Sequence, residues 1–204
     1  MTIHYHLYDL PEELTVEGAL AVDTETLGLN PHRDRLCVVQ LSAGDGDAHL
    51  VHFPEPKYAA PNLKKLLKQR GLTKLFHFGR FDIAVLDKYL GVKCKPVYCT
   101  KIASKLVRTY TDRHGLKDLC KELIGVDLSK EQQSSHWAAE TLSEAQQAYA
   151  ASDVLYLHAL KAELDKRLEA QGRATLAKAC FDFLPSRASL DLAGWPDTDI
   201  FAHS

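Results

Sequence analysis

No stretch of the chain approaches the ~20 consecutive apolar residues needed to span a bilayer. Met1 to Leu10 carry no basic segment leading into an apolar one, so neither a membrane span nor a secretory signal is expected, and a cytoplasmic location is. Cysteine is scarce: Cys37, Cys94, Cys99, Cys120 and Cys180 form an odd set without a Cys-x-x-Cys pair. That argues against a zinc cluster and against a disulfide framework, and predicts buried free thiols. Repeats, low-complexity tracts and linkers are also missing, so the 204 residues are expected to form one domain over 1–204. Nor is there an excess of positive charge. Lys and Arg number 25 against 27 Asp and Glu, a formal net charge of -2. Phosphate neutralisation dominates the affinity of proteins that track long nucleic acid. This balance therefore favours a small substrate, or binding delegated to metal ions.

What is present is an ordinary globular mixture, 46% apolar and 25% charged. Ile3 to Tyr8, Ala19 to Thr24, Arg35 to Leu41 and Ala48 to Phe53 are short and rich in Val and Leu. Turn clusters such as Leu29-Asn30-Pro31 and Ala43-Gly44-Asp45-Gly46 separate them, which predicts a strand meander. Pro61 to Gln69 sets Leu63, Leu66 and Leu67 at helical spacing, and Lys74 to Phe78 returns to strand character. Phe81 to Leu90 predicts a helix closed by Gly91, with Asp82 in its first turn. From Thr100 the pattern is almost wholly helical. Thr141-Leu142-Ser143-Glu144 reads as a capping box opening a long helix through Tyr149 and Asp153 toward Gly172. Strands followed by helices imply an α/β fold, a mixed central sheet flanked by helices with a helical C-terminal half.

Acids sit where neighbouring residues are apolar. Asp23 and Glu25, at i and i+2, share one face of the Ala19 to Thr24 strand segment and its extension. Tyr149 and Asp153, at i and i+4, share one face of a helix. Asp82 follows the end of a strand. Four converging carboxylates would repel one another unless cations lay between them, and hard oxygen donors select Mg²⁺ or Mn²⁺. Two such ions about 3.5–4 Å apart support in-line displacement at phosphorus. Tyr149 could orient the attacking water, and phosphodiester hydrolysis is the reaction class this set of residues fits best.

Three stretches then resemble the exonuclease motifs of the DEDD superfamily: Val22-Asp23-Thr24-Glu25-Thr26-Leu27-Gly28-Leu29, Phe76 to Asp82, and Tyr149 to Leu157. The tyrosine ahead of the last aspartate is that of the DEDDy branch. His114 to Leu119 and Gln133 to Trp137 are similar to the connecting region of ribonuclease D-type domains. Arg33 to Leu41 and Phe201 to Ser204 resemble the bacterial nanoRNases, which remove very short RNA. The resemblance implies a ribonuclease H-like (DnaQ-like) domain with 3′-to-5′ exoribonuclease activity, releasing 5′-mononucleotides from dinucleotides and very short RNA. It implies two Mg²⁺ or Mn²⁺ ions, the first held by Asp23, Glu25 and Asp153, the second by Asp23 and, partly through water, Asp82. It further implies 5′-phosphorylated dinucleotides as preferred partners and a symmetric homo-oligomer, an octameric ring being the expected form. The apolar tail from Trp195 to Phe201 is a candidate contact patch. Ribonuclease D-like trimming of longer RNA, action on DNA ends, and an inactive exonuclease fold serving as an interaction module are the alternatives. The last predicts loss of a metal-binding carboxylate, and none is missing.

Within the motifs, Leu29 falls where the superfamily places an apolar wedge against the terminal bases, with Leu27 second and Thr26 beside them. Phe78 departs from the Asn common after the motif histidine, and its ring could stack on a base or fill the core. His77 is a substrate contact or a core histidine. Lys101, Lys105 and Arg108, spaced i, i+4 and i+7, and Arg113, His114 and Lys117 could hold a 5′ phosphate, with Arg108 and Arg113 favoured because guanidinium binds phosphate bidentately. A solvated helix face is the rival. His4 and His6 share a strand face without an evident third metal partner, and Trp137 and Trp195 are expected in the core or an interface.

Overall fold

In the computed structural model, residues 2–129 and 135–203 are described. Met1, Gln133, Ser134 and Ser204 of the stretches quoted above lie outside the described residues. Among the described residues six strands form one sheet: β1 (Ile3–Leu7), β2 (Ala19–Thr26), β3 (Leu36–Ser42), β4 (Ala48–His52), β5 (Thr73–Phe76) and β6 (Val97–Cys99). Their spatial order is β1-β4-β3-β2-β5-β6. The middle, β2 to β4, is antiparallel as a meander requires. Both flanks are parallel, because β1 pairs with β4, β5 with β2 and β6 with β5. The predicted meander is therefore corrected at β1, which lies beyond β4. The mixed sheet itself agrees with expectation.

Helices follow as α1 (Pro61–Leu67), α2 (Arg80–Leu90), α3 (Thr100–Val107), α4 (Leu116–Leu119), α5 (Glu144–Leu155), α6 (Leu157–Ala170) and α7 (Ala174–Leu192), with a π-helical turn over Cys120–Ile124 after α4. Two sequence expectations shift here. The capping box forms two residues later than predicted: Ser143 accepts from the Gln146 N–H at 3.2 Å, and the Gln146 side chain accepts from the Ser143 N–H at 3.0 Å. The predicted long helix is also interrupted at Tyr156, so that α5 and α6 are separate.

Strand alternation divides the sheet. One face carries Asp23 and Glu25, then Val38 and Gln40 opposite them on β3, then Leu50 and His52 on β4, and Tyr5 on β1. Helix α5 packs over this face, with a small buried cluster of Cys37, Val38, Leu50, Trp137, Leu142 and Ala150 between. The other face bears Val22, Val39, Leu41 and Val51, all buried in the main core. All five cysteines are free thiols, and only Cys180 is not fully buried. Among the described residues no helix is long and apolar enough to cross a membrane.

Candidate active site

Three elements meet around one cavity of about 370 Å³, lined among others by Asp23, Glu25, Asp82, Tyr149 and Asp153. Strand β2 delivers Asp23 and Glu25 side by side. Helix α5 crosses the same face and brings Tyr149 and Asp153 from successive turns. One carboxylate oxygen each from Asp23, Glu25 and Asp153 lie within 4.8 Å of one another. Asp82 stands outside this trio. It comes from the first turn of α2, reaching the cavity past the end of β5, and Thr24, which points to the opposite face of β2, donates to it at 2.6 Å.

The electrostatics follow from this crowding. Burial, then the charges of Asp82, Asp153 and Glu25, push the Asp23 carboxyl well above the usual carboxylate range. Burial and the Asp153 and Asp82 charges push Glu25 up to about 9. Burial raises Asp82 to about 7 against the pull of its Thr24 hydrogen bond. It raises Asp153 to about 7 too, aided by the Asp82 charge and opposed by the hydroxyl of Tyr149, which donates to it. Desolvated like charges of this kind favour whatever neutralises them. An all-carboxylate oxygen set fits a hard divalent cation.

The mouth is shaped by two glycines. A Cβ at Gly28 would sit 2.3 Å from Oδ2 of Asp34, the carboxylate that accepts from the Asn30 N–H at 2.9 Å. This close approach turns the chain after β2 so that Leu29 stands 87% exposed on the cavity rim. Thr26 lines the cavity and spends its hydroxyl on the Gly28 carbonyl at 2.5 Å. Leu27, 48% exposed, is not among the residues that line the cavity, whereas Leu29 is. At Gly79 a Cβ would meet Phe76 at 2.5 Å. Phe78, just before it, has φ 63°, left-handed backbone that side chains other than Gly, Asn and Asp rarely adopt. Its ring is 48% exposed rather than core filling, and Lys101 Nζ stands 4.3 Å from its centroid. Phe78 and Leu29 line both this acidic cavity and an apolar groove of about 530 Å³. His77 lines the cavity with Nδ1 2.9 Å from Thr100 Oγ1. Burial and the nearby Lys101 charge push it down to about 3, so it is a neutral ring.

Two expected substrate contacts are not brought together with these groups. Arg108 is fully buried just past the end of α3. Its Nε donates to Glu122 at 3.1 Å, its Nη1 to Ser104 at 3.0 Å and to the Arg113 carbonyl at 2.6 Å, and its Nη2 to Glu122. With its donors engaged inside the protein, it is a structural tie and not a phosphate contact. Arg113 is exposed and off the cavity wall. Among the described residues, the cations that line the cavity are Lys101 and Lys117, the latter 3.4 Å from Asp127. Sequence reasoning also passed over Gln40. Fully buried on β3 directly opposite Asp23, it donates to Asp23 Oδ2 at 3.4 Å, and the one signal was an amide inside Val38-Val39-Gln40-Leu41. Phe81, beside Asp82, lines both the cavity and the groove.

A mixed sheet whose central strand carries an Asp-x-Glu pair beneath a helix bearing Tyr and Asp one turn apart is a ribonuclease H-like exonuclease fold. The model of the 3′-5′ exonuclease family matches residues 2–169, and the chain belongs to that family. It is similar over the whole of both chains to Brucella melitensis NrnC with bound Mg²⁺, at 62% identity and a TM-score of 0.95. It is likewise similar to Brucella melitensis NrnC bound to pGG, at 63% identity and a TM-score of 0.95. Ribonuclease D of Gluconacetobacter diazotrophicus is 33% identical over 162 residues, 79% of this chain and 41% of that one. The chain spans about two fifths of the length of this and two other curated ribonuclease D relatives that it matches.

Proposed function

We propose that the protein is a metal-dependent 3′-to-5′ exoribonuclease that hydrolyses dinucleotides and very short RNA, 5′-phosphorylated ones above all, to 5′-mononucleotides. The observation that carries this is the convergence of Asp23, Glu25 and Asp153 oxygens within 4.8 Å, at the bottom of a cavity rimmed by Leu29 and Phe78. Asp23, Glu25 and Asp153 would hold one Mg²⁺ or Mn²⁺ ion, and Asp23 with Asp82 a second. Bound there, the cations supply charge for the attacking and leaving oxygens of an in-line displacement. The chain's own residues do the rest. Tyr149, turned toward Asp153, orients the attacking water. Thr24 fixes Asp82 and Gln40 backs Asp23, as groups behind ligating carboxylates do. Leu29 wedges against the terminal bases, Phe78 offers a stacking face, and Lys101 and Lys117 attract phosphate.

A cavity of this size, on a chain with formal net charge -2, suits a substrate of few nucleotides. The likeness to an NrnC structure bound to pGG supports the same reading. A symmetric homo-oligomer, an octameric ring in form, is part of this proposal, with exposed Trp195, Ile200 and Phe201 as contact residues. A cytoplasmic site of action completes it.

The test is a time course on 5′-phosphorylated RNAs and DNAs from two nucleotides upward, with Mg²⁺ and with chelator. Dinucleotide RNA should be turned over fastest and chelator should stop the reaction. Equal or faster turnover of long RNA would favour ribonuclease D-like trimming and overturn the short-substrate assignment. A light-scattering mass of one chain would overturn the oligomer.

A further inference from the structure

The segment that leads into α5 crosses the sheet face on which Asp23 and Glu25 lie, and it is fastened there at both ends. Trp137, 2% exposed, packs its ring 6.1 Å from the ring of Tyr149 at an angle of 35°. Its carbonyl is 3.1 Å from Nε2 of His52, which is fully buried on β4. A carbonyl only accepts, so Nε2 carries the proton and Nδ1 of the neutral ring is an acceptor. Tyr5 Oη, 2.5 Å away on β1, therefore donates to Nδ1. The same hydroxyl oxygen accepts from the backbone N–H of Leu142. Burial holds His52 below its ordinary range, in keeping with a neutral ring. A directed chain thus runs from the Leu142 N–H through Tyr5 and His52 to the Trp137 carbonyl. Leu142 adjoins Ser143, the N-cap of the helix that carries Tyr149.

We propose that Trp137, held by the Tyr5–His52 relay, is a positioning residue for Tyr149. It touches none of the reacting atoms. Its ring flanks the Tyr149 ring and fixes the direction in which the hydroxyl points, while the relay fixes Trp137 against the sheet. The assignment rests on the reading of Tyr149 as the group that orients the water. A misplacement of about 1 Å in such a group costs on the order of 10²-fold in rate.

The experiment is a double-mutant cycle on a 5′-phosphorylated dinucleotide with Mg²⁺, using Tyr149→Phe, Trp137→Leu, Tyr5→Phe and the two doubles that contain Tyr149→Phe. Trp137→Leu should lower kcat by roughly 10- to 100-fold with KM within about 2-fold, and Tyr5→Phe should lower it less, in the same sense. In the Tyr149→Phe background both further losses should shrink to less than about 2-fold, because residues acting as a unit are not additive. Equal losses in both backgrounds, or an effect confined to KM, would overturn the positioning role while leaving Tyr149 catalytic. Wild-type kcat in Tyr149→Phe would overturn the role of Tyr149 itself, and the present inference with it. Tyr5→Phe removes one oxygen from a partly exposed edge strand, and it carries the same test where Trp137→Leu does not fold.

Discussion

Replacing Asp153 with Asn removes one negative charge from the carboxylate cluster while leaving an oxygen for Tyr149 to donate to. In the folded chain without cations, burial and the Asp82 charge raise Asp153 from 3.8 to about 7. Between those values the folded state holds a proton that the unfolded state has released. Stability therefore falls as pH rises across that window, and the penalty is complete above it. At about 1.36 kcal/mol per pH unit the ceiling is roughly 4 kcal/mol. The cluster opens onto a wet cavity and its repulsion is shared among four acids, so about 1–3 kcal/mol is the expected gain for Asp153→Asn at pH 8. In a chain of this size each kcal/mol moves Tm by about 2–4 °C, which puts the rise at roughly 2–12 °C in chelator. Thermal unfolding with EDTA at pH 8 and at pH 4 is the measurement. The gain should be present at pH 8 and absent at pH 4. Saturating Mg²⁺, at about 100 times its Kd, should add about 2.7 kcal/mol to the wild type and less to the variant, so the variant's lead in EDTA should shrink. An Asp153→Asn protein that melts at or below the wild-type temperature in EDTA at pH 8 would refute the reasoning.

Arg108→Met breaks a buried ion pair and leaves Ser104 and the Arg113 carbonyl without a donor. It should cost about 2–4 kcal/mol in denaturant unfolding, less than a fully buried pair because Glu122 is half exposed, while the folded fraction keeps its KM. A large rise in KM without loss of stability would return Arg108 to phosphate binding. Phe78→Asn exchanges a strained aromatic for a residue that accepts left-handed backbone. It should raise stability by about 1 kcal/mol in urea titrations and raise KM for dinucleotide by roughly 5- to 10-fold through the lost ring contact. An unchanged KM would place the substrate elsewhere. Lys101→Ala should weaken dinucleotide binding, seen as a higher KM whose difference from wild type narrows in high salt; a difference that salt leaves unaltered would show that the loss is not one of charge.

Much of this site was legible because its signals are local. An Asp-x-Glu step in an apolar strand and a Tyr-to-Asp step of one helical turn each determine a shared face before any tertiary structure is known. Asp82 was legible as a helix-start acid, and its distance from the trio was not, since that depends on how far α2 stands from β2. Arg108 shows where spacing fails. Residues at i, i+4 and i+7 share a helix face, but α3 ends at Val107, so Arg108 leaves the stripe and meets Glu122, fourteen residues on. Pairing of β1 with β4 is non-local in the same way, and strand patterning carries no information about which neighbour a strand will find. The Tyr156 break between α5 and α6 is marked by no Gly or Pro, and periodicity ran through it.

Strand β2 is paired on both sides, antiparallel to β3 and parallel to β5, and this makes the site a matter of parity. Adding or removing a single residue between Ala19 and Asp23 would turn Thr24 toward α5 and swing both acids into the main core, inverting the site without altering one of its side chains. A change of two residues would restore the face and displace both acids along the strand by about 6.6 Å. The parity holds as long as the ladder between Ala19 and Asp23 stays regular; an odd residue taken up as a bulge, like the register shift already present between Glu25 and Thr26, would leave the acids on their face.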